Sequence, residues 1–293
     1  MPWRRFTRAE REQLDAQIVG VLRDDHPQSM RHAFYRMADP RLPVPVDNTE
    51  EGYQHVQRRC LELRRNGSIP YGWISDATRC GYHVNTFDNA GEFIDRVAGV
   101  YRSTLWTPDL PRVEVWCESR SIVGVLQAEC ERLAVSLYLT GGFSSATLAH
   151  EAAEHIDACD AEYCSVLYIG DYDPAGLLID RSLESELRKH LDTPLVFRRL
   201  AINEEQIDLY DLPTKPRKAT DRRRLDIHET VEAEAMPAAD LRSIVRLAVE
   251  AHLPSYVLRV AQEAEERALE GLHWLSDRVE EEGLDPVPRG PAG

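Results

Sequence analysis

Two aspartates, Asp171 and Asp173, stand two residues apart directly after a short apolar run (Val166, Leu167, Tyr168, Ile169) that ends at Gly170. On an extended chain this spacing points both carboxylates the same way. Carboxylates that close repel unless a cation lies between them, which suits a hard, oxygen-ligated ion such as Mg²⁺. Pro174 fits the first position of a helix, with Asp173 before it as a natural N-cap. Taken alone, the pair has a plainer explanation: Asp173 as a cap and Asp171 as a solvated loop residue.

The elements that must position these acids are legible on either side. Residues 112–121, RVEVWCESRS, alternate Val113, Val115 and Cys117 with polar or amphipathic neighbours and break at Glu118. This reads as a strand with an acid at its carboxyl end. Ile122, Leu126, Cys130 and Leu133 then mark one face of a helix. Residues 135–140 form another strand, Gly141 and Gly142 a turn, and a helix from Ser144 or Ser145 leads into the strand before Asp171. The rhythm is β-α-β-α-β-α, with acids closing the first and third strands. In a parallel sheet those ends share an edge, so Glu118 can meet Asp171 and Asp173. The expected class is α/β, a mainly parallel sheet flanked by helices.

VEVWCES, TGGFSSAT and DYDPAG together resemble a Toprim domain, and within that superfamily the branch that holds the topoisomerase VI A subunit. The resemblance spans residues 113–191. It implies that Glu118, Asp171 and Asp173 hold Mg²⁺ (with Mn²⁺ able to substitute) and that Glu118 also assists proton transfer at a DNA phosphate.

The preceding stretch reads as helix (6–23), helix (30–37), proline-rich loop, and a third helix capped by Asn48 or Thr49 with Tyr53, Val56, Cys60, Leu61 and Leu63 inward. Gly67 stops that helix, and residues 68–74 suit a short extended wing. This is the order of a winged-helix-like module, which the resembling family carries ahead of Toprim. The expected division is a helical winged-helix-like DNA-binding domain at 1–110, ending in a helical bridge over 82–107, and a Toprim domain with C-terminal helices at 111–293.

In that family the cleaving tyrosine follows an arginine by four residues on one helix. Arg31 and Tyr35 match the spacing, which puts both on one helix face. The resemblance implies Tyr35 as nucleophile and Arg31 as its phosphate or transition-state partner, although a tyrosine so placed is more often structural. A phenol with a pKa of about 10 needs a nearby cation or base to react at neutral pH, and the sequence names no base for it. As nucleophile, Tyr35 should be at least partly exposed beside Arg31. It should also lie far from its own chain's acids, since the family completes the site across a dimer.

A net charge of −15 argues against tight nonspecific binding to nucleic acid but not against a local basic groove. Residues 1–110 carry 15 basic and 15 acidic groups, so the deficit lies in the acid-bearing half. Basic clusters occur at Arg4, Arg5, Arg8 and Arg11, at Arg58, Arg59, Arg64 and Arg65, and across 215–224 with six basic residues. Each could equally be a solvated face or loop. The six cysteines include no C-x-x-C pair and read as free thiols in a reducing compartment. No run approaches a membrane span and the N-terminus has no signal-like apolar stretch, so a cytoplasmic protein without membrane contact is expected. His150 and His155 are five apart, about 140° around a helix, which rules out the zinc-protease spacing. No P-loop occurs.

The reading that follows is a Mg²⁺-dependent DNA-binding and strand-cleaving protein in which Tyr35 attacks a phosphodiester. The alternatives are a Toprim nuclease that uses metal-activated water, and a non-catalytic DNA-binding subunit. The implied partners are DNA, a second copy in a homodimer, and a separate ATPase. Glu232 and Glu234 form a second alternating acidic pair whose role the sequence leaves open.

Overall fold

The computed structural model describes residues 6–75, 84–103, 105–107, 109–142, 146–218, 221, 223 and 225–281. The chain divides into two compact units, 1–79 with 108–252 and 80–107 with 253–293. The units interleave along the chain.

The first unit opens with α1 (Arg8–Asp24), started by a reciprocal capping box between Thr7 and Glu10 and burying Leu14, Ile18 and Leu22. Strand β1 (Gln28–Ser29) leads into α2 (Met30–Met37), capped by the Ser29 hydroxyl. Thr49 caps α3 (Glu50–Arg65), and the chain leaves α3 through Gly67 at φ +79°, a left-handed conformation that glycine adopts without strain. The stretch at 68–74 becomes a 3₁₀ turn (Tyr71–Trp73) followed by β2 (Ile74–Ser75), which pairs in parallel with β1. Arg64 fixes it by donating to the Ile74 carbonyl at 2.6 Å.

Among the described residues the helical bridge expected over 82–107 is helical over Ala90–Val100. Its helix, α4 (Ala90–Val100), starts where the Asn89 side chain accepts from Glu92 N and ends at an extended Tyr101. It belongs to the second unit. The chain then re-enters the first unit as β3 (Arg112–Cys117), α5 (Arg120–Arg132), β4 (Ser136–Leu139), α6 (Ala146–Asp157), β5 (Cys164–Ile169), α7 (Gly176–His190) and β6 (Leu195–Ala201).

These four strands form one parallel sheet in the order β4-β3-β5-β6. Burial on both faces explains their nearly continuous apolar sequences. Trp116, Cys164, Val166 and Tyr168 pack with Ala149, Ala152 and Ile156 of α6 and Ile179, Leu183 and Leu187 of α7. Their strand neighbours Val113, Val115, Cys117, Leu167 and Ile169 are buried on the opposite side. The α/β class with a parallel sheet flanked by helices is therefore as expected.

After the sheet come α8 (Glu204–Leu209), the short antiparallel pair β7 (Lys215–Pro216) and β8 (Glu229–Thr230), a 3₁₀ turn at Ala233–Ala235, and α9 (Ala238–Glu250). In the second unit, α10 (Val257–Glu281) packs on α4, with Ser276 Oγ donating to the Gly91 carbonyl at 2.9 Å. Among the described residues, no helix is long and apolar enough to cross a membrane. Cys60, Cys117, Cys130 and Cys164 are buried free thiols.

Candidate functional site

The strand order creates a crevice at one edge of the sheet. The connection after β3 runs outward to β4, and the one after β5 runs the other way to β6. Loops that diverge from adjacent strands leave a gap at the carboxyl ends, where open α/β sheets place their ligands. Glu118 closes β3 and Asp171 follows β5 at this gap. Glu118 N donates to the Ile169 carbonyl at 3.0 Å, and Asp171 N donates to Glu118 Oε2 at 3.4 Å. Asp173 Oδ1 accepts from Gly176 N at 2.6 Å, so the residue caps α7 from inside the site. Asp171 Oδ1 accepts from Ala233 N at 2.8 Å.

Two glycines make this approach possible. A Cβ on Gly170 would lie 3.0 Å from Glu118 Oε2 and 2.7 Å from the Tyr168 ring, while one on Gly176 would overlap the Asp171 carbonyl oxygen. Arg199, near the end of β6, holds the loop from beneath. Its guanidinium donates to the Gly170 carbonyl at 3.0 Å, to the Asp171 carbonyl, to the Ile202 carbonyl at 3.0 Å and to Asp180 Oδ2 at 2.8 Å. One partly buried cation thus fixes the backbone on both sides of the Gly170–Asp171 bond. Sequence reasoning passed over both Arg199, which reads as one polar residue in an ordinary strand, and its partner Asp180 on α7.

The stretch after β8 closes the crevice from the other side. Tyr172 and Val231 form an antiparallel bridge, with backbone hydrogen bonds of 2.8 and 2.9 Å, that carries Glu232 and Glu234 to the acids. Glu234 is buried and accepts from the hydroxyls of Ser119 (2.8 Å) and Ser121. Glu232 is bound by Lys215 Nζ at 3.0 Å and Arg31 Nε at 3.0 Å. Burial favours its neutral form, but these two cations outweigh that and hold the carboxyl below its usual range.

The electrostatics of the edge follow from this crowding. Burial, followed by the Glu234 charge, pushes Asp171 up to about 8. Burial also raises Glu118, to which the Asp173 charge adds. Charge at this edge is therefore costly unless a cation offsets it, and the donors are all carboxylate oxygens, the set a hard divalent ion prefers. Among the described residues, no three His, Cys, Asp or Glu side chains already stand in metal-ligating geometry. The residue chemistry fits Mg²⁺ or Mn²⁺.

Tyr35 requires a correction. Sequence reasoning expects a partly exposed phenol; instead Tyr35 is only 5% exposed. Its hydroxyl accepts from Lys215 Nζ at 2.9 Å, and the 3₁₀ turn beside Glu232 packs on α2. The physical reason is the Tyr172–Val231 bridge, which brings Lys215 and Glu232 over the tyrosine. Arg31, on the same helix, meets Glu232 and stacks over the Tyr53 ring at 4.9 Å. Burial, then the Glu232 charge, raises the Tyr35 pKa.

A cleft of about 770 Å³ opens between α2, α3 and β2 on one side and Ser119, Ser121 and Glu234 on the other. Arg31, Arg58 and Arg64 line it, with Tyr53. Part of the basic run at 215–224 is turned inward: Arg217 donates to the Leu225 carbonyl at 2.6 Å and to the Arg223 carbonyl. Compared with protein-family models, curated proteins and solved structures, the chain matches none.

Proposed function

We propose that this chain is a Mg²⁺-dependent enzyme that cuts DNA phosphodiesters, with Glu118, Asp171 and Asp173 as the metal-holding acids and Tyr35 as the nucleophile. The single observation that carries the reading is the meeting of Glu118 and Asp171 at the carboxyl ends of adjacent parallel strands, with Asp173 two residues on. The resemblance to the topoisomerase VI A subunit supports the substrate class and the role of the tyrosine. The cleft that Arg31, Arg58 and Arg64 line, with Ser119 and Glu234 also on its wall, supports it too, since phosphate contacts dominate nucleic-acid binding.

A bound divalent ion supplies charge neutralisation at the phosphate. The chain's own residues do the rest. Arg31 and Arg58 bind backbone phosphates along the cleft, and Glu118 orients toward the reacting phosphate and can carry a proton, its pKa being raised by burial. Arg199 and Asp180 hold the acid loop in place. Helices α1–α3 with β2 act as the winged-helix-like DNA-binding module. As in the resembling family, a second copy pairs with the first, and any strand passage draws its energy from a separate ATPase partner.

One observation favours a second reading, hydrolysis by metal-activated water with Tyr35 merely packed: the tyrosine ring is buried. The two separate cleanly. Supercoiled plasmid is incubated with the chain and Mg²⁺ or Mn²⁺, denatured, and run with and without protease. Cut DNA released only after proteolysis marks a tyrosyl link; cut DNA released without it marks hydrolysis.

A further inference from the structure

A buried phenol is a poor nucleophile, and the helix that carries Tyr35 offers only Arg31 close by. The fold supplies what the helix lacks. Lys215 Nζ stands 2.9 Å from Tyr35 Oη and 3.0 Å from Glu232 Oε1, and 5.3 Å from the centre of the phenol ring. The Glu232 carboxylate is held at the same ammonium, and its other oxygen takes Arg31 Nε at 3.0 Å. One ammonium is thus shared between the phenol oxygen and the Glu232 carboxylate.

The placement is built rather than incidental. Lys215 lies on β7, whose pairing with β8 is only two residues long, and Thr230 Oγ1 donates to the Lys215 carbonyl at 3.2 Å. The Lys215 and Arg31 side chains are 37% and 35% exposed, so the network reaches solvent through its two cations, the groups a phosphate would meet first.

We propose that Lys215 is a catalytic residue that holds the negative charge on the Tyr35 oxygen during attack on a phosphodiester, with Glu232 as proton acceptor. This rests on Tyr35 being the nucleophile. In the step, the Tyr35 O–H bond breaks and its proton passes to Glu232, while a bond forms between the phenol oxygen and phosphorus. The bond from phosphorus to the leaving sugar oxygen breaks with its electron pair, and that oxygen takes a proton from water. Lys215 keeps its own protons throughout. As Glu232 is neutralised, the charge moves to the phenol oxygen within reach of the same ammonium, so no group has to reorganise at the moment of reaction.

The test measures the single-turnover rate of covalent protein–DNA adduct formation, DNA affinity by fluorescence anisotropy, and thermal unfolding on the full chain. The variants are Lys215→Met, Lys215→Gln and Lys215→Arg. Loss of a preorganised donor predicts adduct formation about 10²–10³-fold slower in Lys215→Met and Lys215→Gln. DNA affinity should stay within a few-fold and unfolding near wild type, with Lys215→Arg recovering most of the rate. Either folded neutral variant forming adduct at the wild-type rate, or slowing only as far as DNA binding weakens, overturns the proposal. A slow Lys215→Arg variant with normal binding overturns the charge-holding role as well. If the wild type cuts DNA without forming any adduct, or does not cut it, the tyrosine reading itself has failed and the proposal falls with it.

Discussion

The Asp171 backbone N–H donates to Glu118 Oε2 at 3.4 Å, joining loops that leave neighbouring parallel strands in opposite directions. These residues lie 53 positions apart in the chain. The contact puts two acids, with Asp173 just beyond, at the one edge of the sheet where side chains from separate loops can act on a common ligand.

The charge at this edge has a thermodynamic signature. Asp171 has a folded pKa of about 8, above the unfolded value of about 4. Below about pH 4 this group is protonated in both states and its contribution to stability is at its fullest. Between about pH 4 and 8 the unfolded chain ionises first, so stability falls as pH rises. Metal-free wild type should lose several degrees of melting temperature from pH 5 to pH 8, and Asp171→Asn should lose less. Millimolar Mg²⁺ at pH 8 should raise the wild-type melting temperature, because binding to the folded state alone stabilises it. Calorimetry at the two pH values, with and without Mg²⁺, measures both effects.

Arg199 and Asp180 form a largely buried pair, each side chain 11% exposed. Removing one member leaves the other's charge uncompensated. Arg199→Met should therefore destabilise the protein by about 3–5 kcal/mol and weaken the response to Mg²⁺, since the Gly170 and Asp171 carbonyls lose their donor. Arg199→Met with Asp180→Leu should recover much of the stability but not the metal response. Urea denaturation of the single and double variants checks this.

Gly176 lies against the Asp171 carbonyl, where an added methyl has no room. Gly176→Ala should cost about 1–3 kcal/mol and shift the acid loop, reducing cleavage. Gly99, in α4, has open space at the same point, so Gly99→Ala should be neutral or stabilising by about 0.5–1 kcal/mol. Parallel urea titrations separate a local clash from a general intolerance of alanine.

Arg58 lines the cleft on an exposed face of α3. Arg58→Ala should weaken DNA binding about equally across sequences and lower the slope of log affinity against log salt by about 0.9 if it neutralises one phosphate. Anisotropy titrations at several salt concentrations report both.

How much of this was legible beforehand differed by level. Local signals read well: α2 occupies its expected residues, Thr49 caps α3, and the strand before Asp171 and the break at Glu118 fall where the alternation ends. Periodicity and capping residues are short-range properties, and such properties survive folding. The bridge expected over 82–107 overstated its helix, which Asn89 and an extended Tyr101 bound to Ala90–Val100 among the described residues. What the sequence could not disclose were contacts across long separations. Lys215 meets Tyr35 over 180 residues, and Ser119 and Ser121 meet Glu234 over 115 and 113. No pattern within a window encodes such pairs. They depend on the Tyr172–Val231 bridge, which buried a tyrosine that its helix alone would have left accessible.

The most direct measurement is plasmid cleavage by wild type and by Asp171→Asn/Asp173→Asn, with Mg²⁺ and with EDTA. The substitutions keep side-chain size and remove the charge, and the weakened Asp173 cap should cost only about 1 kcal/mol, so the variant should stay folded by circular dichroism. The account predicts Mg²⁺-dependent cutting by wild type, none in EDTA, and none by the folded double variant. Cleavage by that variant at the wild-type rate, or wild-type cleavage unchanged by EDTA, would contradict it.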